Sequence, residues 1–120
     1  MARDYTKLKV FHLVDQLVLD IYKATHDFPK SELFALTSQM RRAAVSVPAN
    51  IVEGSHRTSL AEYINFLSIA LGSLAELGYY IDLSLKLGYL QDKSFAEIKS
   101  KHTECIKSLQ AMINSLRSKA

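Results

Sequence analysis

At 120 residues, 48% of them hydrophobic, the chain is the size of one ordinary domain and can bury a core without help from disulfides or metals. Its single cysteine, Cys105, excludes an internal disulfide framework. No export, myristoylation or prenylation signal is recognisable, so a reducing, cytoplasmic setting is expected. Fifteen Lys+Arg against twelve Asp+Glu leave a net charge of +3, which permits an anionic partner without requiring one.

Glycine and proline are scarce and apolar residues recur at spacings of three and four, which predicts an all-α chain. A first helix is expected from about Thr6 to His26, with Leu8, Phe11, Val14, Leu17, Val18 and Ile21 in one stripe, broken by Phe28-Pro29. A short helical turn around Lys30 to Ala35 precedes a second helix, expected from Thr37 or Ser38 as cap to about Gly54. Ser59-Leu60-Ala61-Glu62 is a capping box that opens a third helix, and Gly88 is its stop. The fourth starts near Asp92 and buries Phe95, Ile98, Cys105, Ile106, Leu109, Met112, Ile113 and Leu116. Short connections make successive helices antiparallel neighbours, so the expected fold is an up-down-up-down four-helix bundle, one domain over residues 1–120.

From Tyr63 to Ala75 the third helix carries no charge on any face. A helix with one side in water should show a polar stripe, so both sides are expected to be covered, either by a second copy of the chain or by a wide monomer core. Asn65, Ser68, Gly72 and Ser73 interrupt the apolar run and Glu62 and Glu76 bound it, so a membrane span is a poor reading. Gly72 and Gly78 each weaken a helix by roughly 1 kcal/mol relative to alanine, which close approach of a neighbouring backbone would explain.

The second helix carries the sharpest polar constellation. At about 100° per residue, Gln39, Arg42, Ser46, Asn50 and Glu53 share one arc beside the apolar residues Met40, Ala43, Ala44, Val47 and Ile51. They read as a structural seam at the core margin in which Arg42 forks to the Glu53 carboxylate; a ligand-binding surface is the alternative. Pro48 frees the carbonyl of Ala44, which Ser46 or Asn50 could satisfy, and a kink is expected there. Arg41 points about 100° away from Arg42. With Arg57, just ahead of the third helix, it is a candidate for external contacts, the alternative being solvated surface arginines.

Chemistry is sparse. Glu53-Gly54-Ser55-His56 matches one Glu-x-x-His element of di-iron bundles, but a second pair and the bridging carboxylates are missing, and His102 with Cys105 does not make a zinc site. No phosphate loop, nucleophile elbow or RNA-reading aromatic strand is present, and the four histidines are dispersed. A non-enzyme with no catalytic residues, metal or cofactor is expected.

The run from Leu36 to Gly54, with Phe28-Pro29, Arg57, Glu62-Tyr63, Phe66-Leu67, Ala70, Gly72-Ser73, Glu76 and Leu87-Gly88-Tyr89-Leu90, resembles the bacterial four-helix bundle proteins called 23S rRNA-intervening-sequence proteins. The likeness extends over about residues 5 to 118, with Val52 where alanine is commoner. It implies a left-handed antiparallel bundle assembled as a homopentameric ring, whose charge would be about +15. Similar accessory proteins of diversity-generating retroelements use basic surfaces to engage RNA and a reverse transcriptase. Two functions stay open: a nucleic-acid-associated accessory protein touching RNA or DNA phosphates through Arg41, Arg57, Lys7 and Lys9, or an oligomeric scaffold that binds another protein.

Overall fold

The structure is a computed structural model that describes residues 3–120; Met1 and Ala2, at the head of the expected domain, lie outside the described residues. A 3-10 turn, Tyr5–Lys7, leads into α1 (Lys9–Thr25), and a second such turn, Lys30–Glu32, leads into α2 (Leu36–Ser55); α3 (Leu60–Lys86) and α4 (Asp92–Arg117) follow. Among the described residues there is no strand. Each helix packs against two others in the cyclic order α1, α2, α3, α4, with the diagonal pairs apart, and the body measures 45 × 24 × 20 Å. Since α3 alone is about 40 Å long at 1.5 Å per residue, and the connections are short, the helices alternate direction along that long axis.

The core is the shared apolar side of all four. Val14, Leu17 and Ile21 meet Met40, Ala44, Val47 and Ile51 from α2, Leu67, Leu74, Leu77 and Ile81 from α3, and Cys105, Leu109 and Ile113 from α4, all essentially inaccessible. Removal of such a side chain from water contributes roughly 1.5–3 kcal/mol. Burial pushes the Cys105 thiol up to about 12, which makes it a small apolar filler rather than a nucleophile.

Helix ends follow local chemistry where the cap is local. Ser59 accepts from the Glu62 amide, as the capping box requires (3.1 Å). At the far end of α3, Gly88 takes φ +78°, and the Gly88 and Tyr89 amides reach the Leu85 and Ser84 carbonyls (3.0 and 2.9 Å), a complete Schellman stop. Two expected starts differ. The first segment is divided, because Asp4 caps the Thr6 amide and Leu8 is extended, so α1 begins at Lys9 rather than Thr6. Neither Thr37 nor Ser38 caps α2, which begins at Leu36: the Thr37 hydroxyl is buried without a partner inside the first turn. The Glu32 carboxylate instead approaches the Leu36 amide (3.4 Å) while accepting from the Tyr89 hydroxyl (2.7 Å). That bond is the chief reason the Tyr89 phenol lies above its ordinary range. Phe28 packs on the Tyr89 ring, 5.4 Å between centroids, and this end of the bundle is thereby closed.

The glycines divide into closed and open positions. A Cβ on Gly54 would stand 2.8 Å from the Phe66 Cβ, so only glycine lets α2 and α3 close to this distance. At Gly78 it would stand 2.6 Å from Cε1 of His102. The imidazole occupies that notch and its Nε2–H donates to the Leu74 carbonyl (2.7 Å), joining α4 to α3. Gly72 was expected to be covered like Gly78, yet nothing lies within 4 Å of its Cβ position.

Desolvation lowers the His102 pKa below 6.5, against the opposing pull of the Leu74 carbonyl and of Asp82, with Lys99 adding to the depression. The folded state thus prefers the neutral ring, so its contribution is complete above about pH 6.5 and is lost as pH falls and the unfolded chain takes up the proton. Thermal unfolding is expected to show a drop in Tm between about pH 7 and 5 that is smaller in His102→Gln. Gly78→Ala, despite better helix propensity, should lose about 1–3 kcal/mol in urea unfolding because the ring must leave its notch; unchanged stability would mean that the notch is not filled.

Candidate functional site

The antiparallel topology gathers cations from distant parts of the chain at one end of the bundle, where α1 and α3 begin and α2 and α4 finish. The 3-10 turn and the first turn of α1 present Lys7 and Lys9 in the open. Asp4 anchors the turn through the Thr6 amide (3.0 Å), and His12 Nε2 donates to the Thr6 carbonyl (2.6 Å). Arg3 donates from Nη1 to the Arg57 carbonyl (2.7 Å), and its guanidinium lies 4.4 Å from the Tyr63 ring centroid. Arg57 stacks on Phe66 at 4.6 Å and pairs with Glu53 one turn earlier. Arg117, in the last turn of α4, reaches the Ser68 hydroxyl (3.4 Å). Stacked guanidiniums are held in place while retaining donors for an anion.

Lys7, Lys9 and Arg57 are therefore brought together, and the fourth expected phosphate contact is not. Arg41 lies sixteen positions before Arg57, about 24 Å along the bundle. Its Nε donates to the Thr25 hydroxyl (2.9 Å), and its guanidinium covers the Tyr22 ring at 4.7 Å. Arg3 and Arg117 were missed by the sequence reading. Nothing local marks them, but their places at the start of the first helical segment and in the last turn of the fourth put both at this end once the helices alternate.

The seam on α2 divides in two. Arg42 does not fork to Glu53: it donates to Gln39 Oε1 (3.0 and 3.1 Å) and to the Glu76 carboxylate on α3 (3.1 Å), and Tyr80 donates to the same carboxylate (3.1 Å). Glu53 lies three turns away from Arg42 along the helix, out of reach, and takes Arg57 instead. Between them the hydroxyls of Ser46 and Ser73 share a hydrogen bond (2.9 Å) across the helices. Asn50 donates to the Ser46 carbonyl (2.8 Å) and hydroxyl (3.0 Å), not to the Ala44 carbonyl that Pro48 frees. The helix runs unbroken through Pro48.

Glu53 and His56 are turned to different partners, the latter's Nδ1 facing the Val52 carbonyl (3.1 Å). Among the described residues no three His, Cys, Asp or Glu side chains gather as a metal site would need. A cleft of about 940 Å³ opens between α1 and α4 at the opposite end. Ala24, Pro29, Leu90 and Ile98 line it together with the Lys101–Asp20 pair, and neither histidine nor cysteine does.

The model of the family described as 23S rRNA-intervening sequence protein matches residues 6–111. This chain belongs to that family. A crystal structure from Bacteroides thetaiotaomicron, described as a protein of unknown function from the S23 ribosomal protein family, superposes with a TM-score of 0.80. It is 26% identical, and the likeness covers 88% of this chain and 95% of that one. No curated protein matches. As a 23S rRNA-intervening sequence protein the chain shares a fold with a relative whose function is itself open.

Arg42 and Glu53 are each 54% exposed, and surface pairs of this kind are worth at most about 1 kcal/mol. Glu53→Ala is accordingly expected to cost under about 1 kcal/mol in urea unfolding, not the roughly 3 kcal/mol of a buried pair left broken; the larger loss would restore the buried seam.

Proposed function

We propose that this protein is a non-enzymatic accessory protein that associates with RNA, or with DNA, as a homo-oligomer, the pentameric ring implied by the family resemblance being its expected form. The observation that carries this reading is the basic end of the bundle. Arg3, Lys7, Lys9, Arg57, Arg117 and Lys119 stand there against Asp4, Glu53 and Glu62, so the +3 surplus of the whole chain is gathered at this end. Glu53 and Arg57 pair with each other, which leaves Arg3, Lys7, Lys9, Arg117 and Lys119 against Asp4 and Glu62. No groove-reading helix or stacking strand accompanies these cations, which suits phosphate contact with little sequence preference.

A single basic end is a modest field, and repetition around a ring multiplies it. The protein-scaffold alternative gives the same charges no role beyond solubility. Titration of binding to a short single-stranded RNA against salt separates the two. Affinity is expected to fall with a log–log slope near 0.7 per phosphate contacted. Arg57→Ala should lower that slope by roughly one per engaged subunit, and Arg41→Ala should leave it unchanged. No detectable binding at about 50 mM salt, where screening is weak, would leave the scaffold reading in its place.

A further inference from the structure

Besides Leu33, Phe34 and Leu87 at the end opposite the cations, two apolar patches lie open on the long sides of the bundle among the described residues. On the α1–α2 face, Leu19, Tyr22 and Val45 are 51, 42 and 41% exposed. Arg41 on α2 covers the Tyr22 ring on α1, and Val45 lies one turn beyond Arg41, so the three apolar side chains share a surface. The second patch is the outer ridge of α3, where Ile69 and Tyr79 are 46 and 62% exposed and flank the unfilled position at Gly72. Only a third of the most apolar stretch of α3 is buried within the bundle. The α3 helix touches α2 and α4 but not α1, so its ridge faces away from the α1 side.

Counted from the basic end at 1.5 Å per residue, Leu19 and Val45 both stand about 15 Å up the bundle, Ile69 about 14 Å and Gly72 about 18 Å. Tyr79 reaches about 28 Å, so it is the Ile69–Gly72 part of the ridge that is level with the first patch. The charged groups at their margins also differ: Arg41, held by Thr25 and Tyr22 with no carboxylate beside it, borders the first, and Glu76, paired with Arg42, the second. A two-fold contact centred on the first patch would set arginine toward arginine. Glycine exposed in mid-helix weakens the helix with no return inside the subunit, and a neighbour seated against it supplies the reason.

We infer that a second copy of this chain covers each patch, the α1–α2 face of one subunit packing on the α3 ridge of the next. This rests on the oligomeric reading above and names its surfaces. A contact between two different patches is head-to-tail, and because Ile69 and Gly72 are level with Leu19 and Val45 the copies stand side by side, so repetition closes a ring instead of climbing into a filament. Every subunit then points its basic end to the same side of the ring.

Val45→Asp spoils one patch and Ile69→Asp the other, both at exposed positions. By sedimentation velocity each variant alone is expected to be monomeric, while an equimolar mixture forms dimers, since each supplies the patch that the other lacks. Helical circular dichroism checks the fold, and Leu19→Asp with Tyr79→Asp is the second pair if either first variant unfolds. A mixture that stays monomeric, or variants that assemble like the wild type, would overturn the surfaces assigned here. A monomeric wild type would instead overturn the oligomeric reading beneath them.

Discussion

The charge-free run of α3, Tyr63 to Ala75, is the constraint to which most of the molecule answers. A rod with no polar stripe must be covered, and the bundle covers one side of it. Tyr63, Leu67, Ala70 and Leu74 form the inner wall; Gly54 lets α2 close on Phe66, and Gly78 admits the His102 ring from α4. Several polar groups on this helix are turned to its neighbours, Ser73 to Ser46, Glu76 to Arg42, Ser84 to Met40. Ile69, Gly72 and Tyr79 remain outward, with Asn65 and Glu76 on the same ridge, and the subunit does not cover them by itself.

Features set by short stretches of chain are legible in the sequence. The Ser59–Glu62 cap, the Gly88 stop, the four apolar stripes and the resemblance running from Leu36 to Gly54 each depend on residues a few positions apart. Features set by a partner from elsewhere are not. The start of α2 depends on Glu32, itself fixed by Tyr89 across the bundle end, so Thr37 and Ser38 misled by looking like caps. The helical wheel put Arg42 and Glu53 on one side of α2 but could not supply Glu76 from α3, nor show that three turns separate the expected pair. Gly72 and Gly78 look alike in sequence, and only the position of His102 tells the closed one from the open one.

The basic end has the same origin. Arg3, Lys7, Lys9, Arg57 and Arg117 are scattered over the whole length of the chain, and alternation of the helices brings them to one end. Arg41, nearer in sequence to Arg57 than Lys7 or Lys9 is, goes to the other half because it lies most of a helix away. Its guanidinium is there occupied with Tyr22 and Thr25, at the margin of an apolar patch, a place suited to subunit contact more than to phosphate. Charge for a polyanion and apolar surface for assembly are thus kept on different parts of the bundle, and side-by-side assembly would sum the first through the second.

The most direct test of this coupling is RNA affinity measured for a subunit that keeps its basic end and loses its partners. Val45→Asp leaves every cation of that end in place, about 15 Å away. At equal subunit concentration and about 100 mM salt, it should bind a single-stranded RNA spanning several subunits at least about tenfold more weakly than the wild type, with a shallower salt slope. Equal affinity and equal slope for the monomeric variant would contradict a basic surface built by assembly.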